Sequence, residues 1–225
     1  LNNEINNIIN TQLVSFPKDE SSNNQTDVLV DNNSDIIGNL ELVLNIVDKK
    51  LNDDTSAYTL DITYPQIQGY SNANTQSDFN NYVSDAVNQT SKEVKFSEPG
   101  MAGKNTLTLT YKVIYKSSKV VSIMISGYQY LGGAHGSSVF ISINYDLQHN
   151  KILSLDNLFK ASSTYVQKLS DLSRTLLTAK LGSDADSSSI NAGTQPDADN
   201  FKIFAFDKNS LFITFGDYQV GPYAI

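Results

Sequence analysis

NTLTLTYKVIYKSSKVVSIMISGYQYLGGAHGSSVFISINYD, residues 105–146, decides the fold. Leu107, Leu109, Tyr111, Val113 and Tyr115 fall on every second position. Ser117 and Ser118 turn the chain, and Val121, Ile123 and Ile125 bring it back. After a glycine-rich break, Val139, Ile141, Ile143 and Tyr145 repeat the pattern. Successive side chains of a strand point to opposite faces, so a period of two predicts strands with one apolar face. Three such runs in succession predict a meandering antiparallel sheet with its other face wetted.

Upstream, Phe79, Tyr82, Val83, Ala86, Val87 and Val94 recur at helical spacing, which predicts a helix over about 78–95. Before it, Tyr58, Leu60, Ile62 and Tyr64 share one face of a strand over 57–64, ended by Pro65. LELVLNIV at 40–47 reads as another strand, and Lys49–Asp54 as the turn between the two. Leu1, Ile5, Ile8, Ile9, Leu13 and Phe16 predict a first helix, stopped by Pro17. Residues 18–38 are polar and turn-rich, a long loop.

Downstream, Val166, Leu169, Leu172, Leu176 and Leu177 predict a third helix over 164–181. Thr164 and Gln167 have capping-box spacing, and Gly182 suits the C-terminal cap. Residues 183–199 are rich in Ser and Asp and read as loop; 201–206 and 211–215 form a last hairpin. The expected fold is therefore α+β: an antiparallel meander with about three helices packed on one face. NLELVLNIVDKK (39–50) also lies over NTLTLTYKVIYK (105–116). Either two helix–hairpin units diverged from one, or two amphipathic units share only their pattern.

Composition bounds the function. The 225 residues carry a formal net charge of −8. That charge repels nucleic-acid phosphates, and it either attracts basic proteins or simply keeps the chain soluble. Charged residues are 18% of the chain, below the usual quarter or so, and amides and hydroxyls fill the gap. Cysteine is absent, so no disulfide, thiol nucleophile or cysteine-based zinc site forms. No apolar run reaches the roughly 18 residues of a membrane span. The first residue is Leu1, not Met, and a signal peptide or anchor removed from upstream is expected, hence an extracytoplasmic location.

The densest chemical signal is the segment from Tyr128 and Tyr130 through Gly132, Gly133, His135 and Gly136. Three glycines in five residues allow positive φ or close backbone approach, and a histidine among them could be a base or a ligand. The bland alternative is a tight connection whose imidazole bonds to the backbone. Asp217, Tyr218 and Tyr223 form a second Gly-containing motif whose tyrosines could line a groove or merely lie half-buried on the sheet. A hydrolase would pair His135 with Asp146, Asp156 or Asp217. The acidic runs at 183–189 and 196–199 lack the Gly and terminal Glu of a calcium loop. No metal or cofactor is expected, and no GxSxG elbow occurs.

Several segments together resemble one bacterial extracellular family. YTLDITYPQIQG (58–69) with QSDFNNYVSDAV (76–87) resembles its opening. YQYLGGAHGSSVFISINYDLQHNKILSLDNLF (128–159) resembles its centre and FITFGDYQVGPYAI (212–225) its end. The family comprises RsiV-like anti-sigma factor ectodomains, which sense lysozyme, and the N-terminal part of PdaC-like peptidoglycan deacetylases. The resemblance implies an outer-surface module near peptidoglycan, divided as 1–56, a PdaC-like 57–127 and an RsiV-like 128–225. Neither deacetylation nor sigma-factor binding carries over, because the residues of those parts are not in the matching segments. The expected role is a non-catalytic binding or sensor domain. Its partner would be a basic protein such as lysozyme, or a cell-wall glycan; a hydrolase and a purely structural domain are the alternatives.

Overall fold

The computed structural model describes residues 44–99, 103–160 and 163–223. The expected N-terminal helix and the loop over 18–38 lie outside the described residues. Six strands form one sheet in sequence order: β1 (Asn45–Asp54), β2 (Tyr58–Gln68), β3 (Asn105–Lys116), β4 (Val120–Tyr130), β5 (Ser137–Asp146) and β6 (Lys151–Ile152). The helices are α1 (Ala73–Phe96), α2 (Tyr165–Leu181) and α3 (Ser187–Gly193). A separate hairpin joins β7 (Phe204–Phe206) to β8 (Leu211–Ile213). The α+β class and the mostly antiparallel sheet are as the sequence predicted.

One strand pair departs from the meander. β2 and β3 run parallel, from Tyr58 opposite Asn105 to Ile62 opposite Leu109. α1 is their crossover, returning the chain to the end of the sheet from which β2 started. It begins where the Asn72 carboxamide accepts the N–H groups of Asn74 and Thr75. Its stripe Phe79, Val83, Val87 and Val94 is fully buried on one face of the sheet, against Ile62, Leu107, Ile123, Ile125 and Ile143. At its far end the buried Asn105 donates to the carbonyls of Val94 and Ser97 at 3.2 and 2.8 Å. These would otherwise be orphaned helix-terminal carbonyls.

Three local expectations are corrected. Lys49–Asp54 is strand and not turn: β1 is an edge, so its charges face water. The turn falls instead at Thr55, whose hydroxyl accepts the amides of Ala57 and Tyr58. Pro65 does not end β2; it lies beyond Ile62, where β3 pairing has stopped and a missing N–H costs little. Tyr115 does not share the inward face of Leu107 and Leu109. The register shifts by one between Val113 and Tyr115, and this bulge sends Tyr115 to the opposite face.

That opposite face is not simply wet, and the helices do not share one side. The β7–β8 hairpin covers it, and α2 packs Leu169 into the same second core of Phe201, Phe204, Leu211 and Ile213. A buried polar link joins the layers. Ser122 on β4 donates to Asn144 Oδ1 on β5 at 2.7 Å and accepts the Phe206 amide at 3.0 Å, while Asn144 donates to the Phe204 carbonyl at 2.8 Å. Thr164 caps α2 by position but makes no side-chain capping bond, and Gln167 turns to Asp171 instead. Gly182 ends α2 with φ +54°, as expected.

Candidate functional site

The glycine-rich connection between β4 and β5 is shaped by the tyrosines before it. Gly132 takes φ +83°, open to glycine at no steric cost. The Tyr130 hydroxyl donates to the Gly133 carbonyl at 2.9 Å, and the Gly136 amide donates to the Tyr128 hydroxyl at 2.6 Å. A Cβ on Gly136 would lie 2.1 Å from the Gln129 carbonyl oxygen and 2.5 Å from the Tyr128 ring. The loop therefore closes only with glycine there.

Residues 217–223 come to the same rim. Asp217 Oδ2 accepts the Ser138 amide at 2.7 Å, which ties the segment to the first residues of β5. Gln219, which drew no notice in the sequence, anchors it from behind. Its amide donates to the carbonyls of Gly193 and Asn200 and accepts the Gly216 N–H. Gly193 is required for that approach, since a Cβ would stand 1.8 Å from the Gln219 carbonyl oxygen. Tyr218 is held at φ +64°, an uncommon conformation for a bulky residue. It projects its ring outward, 59% exposed.

Three rings then meet. His135 stacks on Tyr223 with centroids 4.2 Å apart and planes 21° apart. Tyr218 lies 5.7 Å from Tyr223, and its hydroxyl is 3.0 Å from His135 Nε2. His135 Nδ1 is 2.8 Å from the Gly136 carbonyl oxygen. A carbonyl only accepts, so Nδ1 carries a proton and donates to it, while Nε2 and the Tyr218 hydroxyl share the second bond. The Tyr223 hydroxyl is pushed up to about 12, first by its bond with Tyr128, then by burial and by the charge of Asp217. Tyr128 is itself 41% exposed, so the rim presents ring faces and hydroxyls together.

Of the sequence candidates, Tyr128, His135, Gly136, Asp217, Tyr218 and Tyr223 converge here, while Tyr130, Gly132 and Gly133 shape the loop. The other carboxylates go elsewhere. Asp146 binds His149 at 2.7 Å; burial raises its pKa, but the bonds from His149 and the charge of Lys151 outweigh that and hold it below the usual range. It lies at the far end of β5, about 26 Å along the strand from Ser138. Two carboxylates acting on one glycosidic bond stand within about 10 Å of each other. Asp156 accepts the Tyr165 hydroxyl, and burial followed by that bond pushes Tyr165 up to about 12. Asp186 and Asp197, from the two acidic runs, cap α3 and a short 3-10 turn (Ala198–Phe201). Among the described residues no three His, Cys, Asp or Glu side chains gather.

Comparison with known proteins finds similarity in two segments. Residues 51–138 match the family described as Deacetylase PdaC, and residues 156–225 match a family of unknown function, DUF3298. The chain is 29% identical over 184 residues to the peptidoglycan-N-acetylmuramic acid deacetylase PdaC of Bacillus subtilis. The match covers 81% of this chain but 38% of that enzyme. Two solved DUF3298 structures share the fold, each with a TM-score of 0.57. The one from Bacteroides fragilis is 18% identical, covering 80% of this chain and 87% of its own. The one from Pseudomonas aeruginosa is 17% identical, covering 81% and 84%.

Proposed function

In this PdaC-like domain with a DUF3298 region, we propose that the His135–Tyr218–Tyr223 rim is a non-catalytic docking surface, outside the cytoplasm, for a cell-wall glycan. The observation that carries the reading is the preorganised, exposed aromatic cluster. Its rings are fixed by Tyr128, Gly136 and Asp217, so binding costs little side-chain ordering. Tyrosine faces can stack on a sugar ring while their hydroxyls bond its polar edge. The Bacillus subtilis relative is a peptidoglycan deacetylase by name, which supports the ligand class. Catalysis gains little support, since both His135 nitrogens are engaged and neither faces a carboxylate.

The test is calorimetric titration with soluble peptidoglycan fragments and, separately, with a basic lysozyme, at low and moderate salt. Fragments should bind saturably with little salt dependence, and Tyr218→Ala should weaken them at least tenfold. The net charge of −8 gives one specific reason to include the protein ligand. Tight one-to-one lysozyme binding that fades with salt would move the partner from glycan to protein. Silence with both ligands would reject the rim as a docking surface.

A further inference from the structure

We infer that the open edge of β5 binds an extended, basic peptide segment as an added strand. The edge exists because β6 is only two residues long, pairing with Tyr145 and Asp146. Leu153 donates to the Asn144 carbonyl, and the chain then leaves the sheet into a 3-10 turn at Leu155–Leu158. In an antiparallel pair, alternate residues turn their backbone groups away from the partner strand. Ser138, whose amide meets Asp217, and Asn144, whose carbonyl meets Leu153, fix which ones do so here. The outward set is therefore Ser138, Phe140, Ser142 and Asn144. Its two ends are covered. Between them Phe140 and Ser142 aim amides and carbonyls away from β4, with no backbone partner among the described residues. The stretch from Ser138 to Ser142 is about 13 Å long, enough for a short strand.

The surroundings favour a peptide over bare solvent. A groove of about 740 Å³ runs past Ser138, Val139 and Phe140. The Gln89–Glu93 turn of α1 forms one wall, and Ile203 and Gly216 form the other. Gln129 also lines it, and its Oε1 is buried without a partner. Its Nε2 donates to Ser137 Oγ at 3.3 Å. Whichever way the amide is turned, Ser137 answers one atom and leaves the other unmet. A backbone amide or carbonyl arriving in the groove supplies what the β5 edge lacks. Strand addition of this kind takes its affinity from main-chain bonds and its specificity from flanking side chains. Lys92 and Glu93 line the groove with opposite charges, Lys92 keeping its charge while it bonds Gln89, and the local surplus is Asp217, whose carboxylate holds the Ser138 amide of the lining. That balance, on a chain of net charge −8, selects a basic segment.

The probe is an end-capped hexapeptide of alternating lysine and valine, titrated onto the isotope-labelled protein. Saturable binding should slow exchange of the Phe140 and Ser142 amides at least tenfold, leaving amides of β1, the other sheet edge, unchanged. N-methylating every second residue in the register that faces β5 should weaken binding at least tenfold; the opposite register should not. A glutamate–valine version should bind at least tenfold more weakly. Phe140→Pro, which removes one outward donor at an edge position, should lose the peptide; the exchange data on the native chain decide the matter if that variant does not fold. No binding at millimolar peptide, indifference to N-methylation, or unchanged Phe140 exchange overturns the inference. So does a dimer in sedimentation with this edge already protected, which would make the occupant a second copy. The outcome is independent of whether the aromatic rim binds glycan.

Discussion

Gly127 lies where β4 passes Thr108 of β3, and a Cβ there would stand 1.8 Å from the Thr108 carbonyl oxygen. Backbone cannot yield as a flexible side chain can. Gly127→Ala should destabilise the fold by about 2–3 kcal/mol, read as a lower urea midpoint at unchanged slope. Tyr111 gives a second prediction at this scale. Burial first, and then its bond to Asp48, push its hydroxyl up to about 12. A tyrosine is neutral when protonated, and the folded state holds this proton more tightly than an unfolded chain titrating near 10. Its contribution is complete below about pH 10 and is lost as pH rises toward 12. Stability should therefore fall across that window, and Tyr111→Phe should shrink the fall. At this scale the candidate site was partly legible. Tyr, His and Gly side chains concentrated in two motifs marked the rim, but their stacking was not, because each motif approaches the other only through the fold.

Elements were legible where one face is apolar. The stripe of α1 and the alternation of β3 to β5 follow from periods of 3.6 and two. The start of α1 was placed five residues late, because the polar first turn carries no stripe and is set by the Asn72 carboxamide. Asn72→Ala should cost about 1 kcal/mol of stability and fray the first turn, seen as faster amide exchange at Asn74 and Thr75. α3 was missed entirely. Its Ser-rich sequence has low helix propensity, and it stands because Asp186 caps it and Ile190 is buried. The acidic runs that read as loop supply helix caps for the same reason.

Across the whole molecule, the buried link of Ser122, Asn144, Phe204 and Phe206 fastens the sheet to the second hairpin. Ser122→Ala removes the donor to Asn144 Oδ1 in a fully enclosed position. It should cost about 2 kcal/mol, with the larger rise in exchange over 204–213 than over α1. The same residues explain why the second layer was invisible beforehand. Ser122, Ser142 and Asn144 alternate with apolar neighbours and read as a wetted face. Ser122 and Asn144 are polar because they bond to each other and to the covering hairpin, not because water reaches them. The sequence by itself determined the α+β class, the strands and the stripes, since these depend on periodicities within a few residues. Tertiary structure alone decided the parallel β2–β3 pair, the division of helices between two faces, the open β5 edge and the meeting of His135 with Tyr218 and Tyr223. Each of these is a contact between segments far apart in the chain, and no local pattern of side chains encodes which distant backbone will satisfy it.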